Sequence, residues 1–143
     1  MKNILLITLM LACTSLLAQD IVGTWKTIDD ESGKPRSVVE IYEKDGAYFG
    51  KIIKLFREPG EDPDPICDEC SGKKKNQKVI GMEIITDMQY DSDDQIYNEG
   101  EILDPESGNV YDCRLWVSED GNLKVRGYLM FFYRTQTWQP YEG

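Results

Sequence analysis

Two thiols three residues apart, Cys67 and Cys70, are the groups in this chain with the plainest capacity for chemistry. They sit among Glu58, Glu61, Asp62, Asp64, Asp68 and Glu69, with Lys73, Lys74, Lys75 and Lys78 following and Pro59, Pro63 and Pro65 breaking up the stretch. Such a pair has three uses: a local disulfide, a redox centre or half of a zinc site. A redox thiol needs surroundings that lower its pKa, and carboxylates do the reverse. Structural zinc takes four nitrogen or sulfur ligands, and nearby only Cys113 remains as a further thiol. A disulfide that staples the segment is the expected state, and Cys113, alternating with Tyr111 and Leu115, is expected to be a buried free thiol.

Histidine is absent from the chain. That excludes imidazole as nucleophile partner, general base or metal ligand, so most hydrolytic mechanisms lose their usual base. Asp91-Ser92-Asp93-Asp94 offers oxygens to a cation but lacks the glycine and distal glutamate of a calcium loop, and it reads as a solvated turn. No catalytic residue, metal site or cofactor is expected. The net charge of −10 opposes nucleic acid and anionic lipid, so partners of those kinds are not expected either.

The elements that would position any site are short strands. Asp45-Gly46, Asp120-Gly121, the run 104–109 and the run 91–94 are turn sequences lying between apolar stretches. Reading between them predicts strands near 21–28, 37–44, 47–56, 79–90, 95–103, 109–118, 122–130 and 132–139. No segment sustains a helical apolar period. Connections of two to six residues make neighbours pair in sequence, which predicts an all-β, single antiparallel up-and-down barrel of about eight strands. One long loop, 57–78, carries the cysteines; a loop of that length is functional or unstructured in most domains. Tyr111, Cys113, Leu115 and Val117 share one face of their strand, and Leu123, Val125 and Leu129 share one face of the next. The adjacent Ile52 and Ile53, and Trp116 on the side of Arg114, leave inside and outside open there.

Before the first strand, Lys2 and the apolar run 4–18 ending in Leu16-Leu17-Ala18 read as an export signal, too short for a membrane span. Residues 1–18 are therefore expected to be removed, leaving 19–143 as one periplasmic or secreted domain. Leu11-Ala12-Cys13 offers an alternative, lipid attachment at Cys13, but Met10 suits it poorly and the apolar run would be cut in half.

The ordered motifs Val22-Gly23-Thr24-Trp25-Lys26, Gly50-Lys51-Ile52-Ile53-Lys54-Leu55, Gly81-Met82, Ile102-Leu103-Asp104-Pro105, Leu123-Lys124-Val125-Arg126-Gly127-Tyr128 and Arg134-Thr135-Gln136-Thr137-Trp138 resemble the bacterial domain of unknown function 2147 family over nearly the whole of 19–143. The resemblance implies an exported protein of Gram-negative bacteria without a settled activity. Some members carry a Cys-x-x-Cys loop and others lack it, which implies a staple rather than a reactive centre. The chain departs from the family pattern at Phe131-Phe132-Tyr133, where a glycine is expected beside the arginine.

A looser resemblance reaches the calycin barrels: lipocalins, fatty-acid-binding proteins and avidins. It implies that Trp25 plugs one end of the barrel with Arg134 or Arg126 over its ring, while Trp138 is structural and a ligand enters from the other end. Arg126-Gly127-Tyr128 resembles the pair with which fatty-acid-binding proteins hold a carboxylate, although its face is that of Lys124, opposite the apolar one. The expected function is a binding module for a small apolar or amphipathic ligand, with Tyr48, Tyr111, Arg126, Tyr128 and Gln136 as candidate ligand contacts. The alternative is a filled barrel that binds an envelope protein, and a histidine-free enzyme is the third reading. A monomer is expected.

Overall fold

The computed structural model describes residues 20–143. The expected signal, with Cys13 and Ala18, and the expected new N-terminus at Gln19 lie outside the described residues. Eight strands, β1 (Gly23–Ile28), β2 (Pro35–Lys44), β3 (Ala47–Leu55), β4 (Glu83–Asp91), β5 (Ile96–Leu103), β6 (Val110–Val117), β7 (Leu123–Leu129) and β8 (Phe132–Pro140), pair antiparallel in sequence order. The last closes on the first through Trp25↔Pro140 and Lys26↔Gln139, making a closed barrel. The expected strand count, meander and closure are all present. Closure rests on these two residue pairs and converts the outer edges of β1 and β8 into a seam.

The turn chemistry explains the hairpins. Asp45 and Gly46 both take positive φ (53° and 80°), which lets a two-residue turn reverse β2 into β3 with the twist the strands require. The Asp91 turn is held by its own side chain, whose Oδ1 accepts from Asp93 N–H at 3.0 Å. Where β4 meets β5, Gly100 permits close approach, because a Cβ there would collide with the Thr86 carbonyl and Met88. Asp87 and Glu99 flank that point with positive φ, the irregularity of a barrel corner.

The turns sort into two ends. At one, residues 20–22 and the β2–β3, β4–β5 and β6–β7 turns close over a packed floor: Ile21, Trp25, Val39, Ile41, Met88, Leu115 and Leu123 are buried against one another. At the other, the β1–β2, β5–β6 and β7–β8 turns and the long loop surround a mouth. The ambiguous pair resolves, with Ile52 buried inside and Ile53 exposed outside. Trp116 lies on the outer face, half-buried.

Residues 56–82 form the long loop, and it is ordered rather than loose. Val79–Met82 were expected to open β4 but belong to the loop, because Gly81 turns there with φ 92° and its N–H donates to the Ile52 carbonyl at 2.6 Å. Cys67 and Cys70 form the expected disulfide, both sulfurs buried. The Cys67 backbone donates to Gln77 O and accepts from Asn76 N–H, each at 2.8 Å. The stapled loop leans on the β5–β6 turn: the Cys67 sulfur lies 3.3 Å from the Pro105 carbonyl, and Gly108 (φ 76°) passes so close to Glu69 that any Cβ would strike its carbonyl. Cys113 is a free thiol in the barrel wall, its pKa pushed up to about 12 by burial.

Replacing Cys67 and Cys70 by serine is therefore expected to loosen the mouth without unfolding the barrel. A ring of so few residues removes little entropy from the unfolded chain, and the floor lies at the other end. Proteolysis within 56–82 should accelerate while near-ultraviolet dichroism of the core is retained. A variant that does not fold would show the loop to be part of the folding core.

Candidate functional site

The mouth opens into a cavity of about 880 Å³ that reaches down to Trp138. Its walls come from inward positions of the strands, where the two-residue side-chain period places alternate residues inside. Ile52, Leu55, Ile84, Ile102 and Val125 supply its apolar walls. Thr27 and Ser37 add a buried polar spot, their hydroxyls 2.7 Å apart and the Ser37 N–H donating to Thr27 Oγ1 at 3.0 Å. The Trp138 indole N–H donates to Gln136 Oε1 at 3.1 Å. The long loop contributes Pro65, Ile66, Asp68 and Val79 to one side of the mouth.

Charge is confined to the rim. Six carboxylates (Asp29, Glu31, Glu61, Asp68, Asp104 and Glu106) face the opening, against three guanidinium groups, Arg36, Arg57 and Arg134. Each arginine is already paired: Arg36 with Asp29 at 3.7 Å and with Glu106, Arg57 with Glu61 at 3.7 Å, and Arg134 with Asp30 at 2.6 Å. Asp29 is held below the usual carboxylate range, chiefly by hydrogen bonds from the Glu31 backbone and the Ser32 hydroxyl. The Asp30 carboxylate raises the Arg134 pKa in turn. The rim is thus a net negative collar around a cavity with apolar walls.

Of the candidate ligand contacts, Tyr111 and Gln136 line this cavity. Tyr48 lies in the floor, edge-on to Tyr97 with ring centroids 4.8 Å apart, its hydroxyl pKa raised mainly by burial. Arg126 and Tyr128 point outward, which corrects the reading of them as a carboxylate clamp inside the barrel. The reason is the strand period: Leu123 and Val125 are buried, so Lys124, Arg126 and Tyr128 must face solvent. Trp25 is buried in the floor, and its indole N–H donates to the Ile21 carbonyl at 2.8 Å.

The expected arginine lid over Trp25 is also corrected. Trp25 pairs with Pro140, and Arg134 lies six residues earlier in β8, about 20 Å along the strand at the mouth. The other candidate, Arg126, stacks over Trp116 and Tyr133 instead. Thr27, Ser37 and the arginine pairs of the rim went unrecognised in the sequence. The alternation Trp25, Thr27 in β1 was the available signal for Thr27, whereas the rim residues lie on turns that carry no periodicity.

An eight-stranded meander, plugged at one end and hollow at the other, is a lipocalin-like barrel. A solved structure titled "Protein HP1028 from the human pathogen Helicobacter pylori belongs to the lipocalin family" superposes with a TM-score of 0.71 at 19% identity, covering 86% of this chain and 84% of that one. At that identity the likeness is one of fold. The chain belongs to the family described as "Uncharacterized protein conserved in bacteria (DUF2147)", whose model matches residues 23–140, the span of the barrel. No curated protein matches it.

Proposed function

We propose that this protein is an exported binding module that takes a small amphipathic ligand, tail in the barrel and head at the rim. The observation that carries the reading is a cavity open at one end of a closed barrel, with apolar strand residues in its walls and polar groups at its rim. A concave cavity that combines apolar walls with placed polar groups is the usual form of a small-molecule site, and this one has room for an acyl chain. The rim narrows the ligand class. Every rim arginine is committed to a carboxylate and carboxylates are in excess, so an anionic head finds no free cation and a repulsive field. A neutral or cationic head is favoured.

Matched twelve-carbon amphiphiles below their micelle concentration test this, with Trp138 fluorescence as the readout because its ring ends the cavity. Dodecyltrimethylammonium and dodecyl maltoside are expected to bind at least about tenfold more tightly than dodecanoate at low salt, and added salt should narrow the gap. Tightest binding by dodecanoate would overturn the head-group assignment, and no binding by any of the three would overturn the carrier reading.

Export is supported by the character of residues 1–18 and by a disulfide, which persists in oxidising compartments. The intact mass of the protein recovered from its native host should correspond to a chain beginning at Gln19. A lipid-modified Cys13 would show anchoring instead.

A further inference from the structure

Beside the mouth, the turn between β7 and β8 exposes an unbroken apolar run. Leu129, Met130, Phe131, Phe132 and Tyr133 are 58%, 90%, 98%, 79% and 62% exposed. Leu129 pairs with Phe132, leaving Met130 and Phe131 as a two-residue turn in which Met130 takes a positive φ of 55°. Glycine or asparagine would form that turn at lower cost, so turn geometry does not account for the bulky residues. The apolar groups lie on every side of the hairpin. Leu129 and Phe132 look toward the cavity, Tyr133 looks outward beside Tyr128 (centroids 5.9 Å apart), and Met130 and Phe131 form the apex.

Below the apex, on the outer face, Arg114 and Arg126 are direct cross-strand partners. Like charges directly opposite repel, and neither makes a salt bridge among the described residues. Aromatic rings hold them: Arg126 lies 5.0 Å from the Trp116 ring and 4.4 Å from that of Tyr133, and Arg114 lies 5.3 Å from that of Tyr128. Asp112 and Lys124 are the other charged groups of β6 and β7 on this face, with Glu101 of β5 beside Asp112, and the Lys124 ammonium donates to Thr137 Oγ1 at 2.7 Å. In a chain of net charge −10, this is a local basic patch continuous with an apolar apex.

We propose that the β7–β8 hairpin docks the protein on a phospholipid bilayer, the apex entering the acyl boundary while Arg114 and Arg126 meet lipid phosphates. A flat protein partner would cover one face of the hairpin and leave the other wet. A bilayer surrounds an apolar apex on all sides and presents phosphate just above the acyl region, at the level where tyrosines and arginines are favoured. The charge of the whole chain opposes an anionic surface, so a zwitterionic membrane is the partner. Because Leu129 and Phe132 belong to both the hairpin and the cavity lining, docking would set the mouth against the membrane. Docking stands whether or not the cavity binds a ligand.

Flotation with phosphatidylcholine vesicles tests it on residues 19–143, which contain all eight strands and the buried core of the described residues, so that the apolar run 4–18 contributes nothing. The wild-type chain is expected to float, and Phe131→Ser/Phe132→Ser to lose on the order of a hundredfold in partition, since two exposed rings no longer leave water. Arg114→Gln/Arg126→Gln should lose several-fold at low salt and little at high salt. Melting temperatures should stay near wild type in both variants, because the replaced groups are not core. Phe131→Trp should shift its emission to the blue when vesicles are added. A wild-type chain that does not float, or serine variants that float equally well, would overturn the proposal. So would a wild-type dimer that the serine pair converts to monomer without any vesicle binding, since the occupant would then be a second copy.

Discussion

Trp25→Ala is expected to destabilise the fold by about 3–5 kcal/mol, the cost of deleting a large buried aromatic side chain. Trp25 is 7% exposed, packs with Ile21, Val39 and the rest of the floor, and also satisfies the Ile21 carbonyl. The deletion leaves a void among residues from β1, β2 and the N-terminal segment, fixed by barrel closure and unable to collapse into it. Against a typical total stability of about 5–15 kcal/mol, the melting temperature should fall by roughly 10–20 °C. Trp25→Phe should recover most of the loss, missing mainly the hydrogen bond. Arg134→Ala should cost far less, because its ion pair with Asp30 is largely exposed and such pairs contribute little. If Trp25→Ala melts like wild type but no longer binds a ligand, Trp25 belongs to the site and the structural role assigned to it in the floor is wrong.

The second large effect is expected at Gly127, for binding rather than folding. Gly127 sits in β7 on the inner face, and a Cβ there would meet Tyr111 at 3.5 Å and Ile102 at 3.9 Å, ordinary contact distances. A side chain is therefore tolerated by the backbone and projects into the cavity. Phenylalanine at this position would displace the volume of roughly three methylenes of a bound chain, each worth about 0.8 kcal/mol. Gly127→Phe should then weaken a twelve-carbon amphiphile by roughly thirty- to a hundredfold, while the melting temperature changes little. Shorter chains should be affected less, since they need not pass the added ring. Unchanged affinity across chain lengths would place the ligand outside the barrel and remove the basis of the carrier reading.

How far the sequence reaches is clearest in β7. Its alternation already separates Leu123 and Val125 from Lys124, Arg126 and Tyr128, and the structure puts the first pair inside and the other three outside. Family likeness suggested an inward Arg126 and Tyr128, and the local period was the better guide because a strand cannot turn one residue without turning its neighbours. Arg134 failed for a different reason. Its contact with Trp25 depended on the register of β1 against β8, a pairing between the two ends of the chain that no local pattern encodes.

By itself the sequence determined the local structure: eight strands from turn residues and side-chain alternation, their pairing in order from short connections, and a disulfide between near neighbours in the loop. These rest on interactions between residues close along the chain, where backbone geometry leaves few choices. Only the tertiary structure decided that the end opposite Trp25 is hollow, that each rim arginine is paired with a carboxylate, and that the Leu129–Tyr133 run stands in solvent beside Arg126. Those features depend on barrel closure, which brings together turns far apart in sequence and sets how much of each side chain remains uncovered.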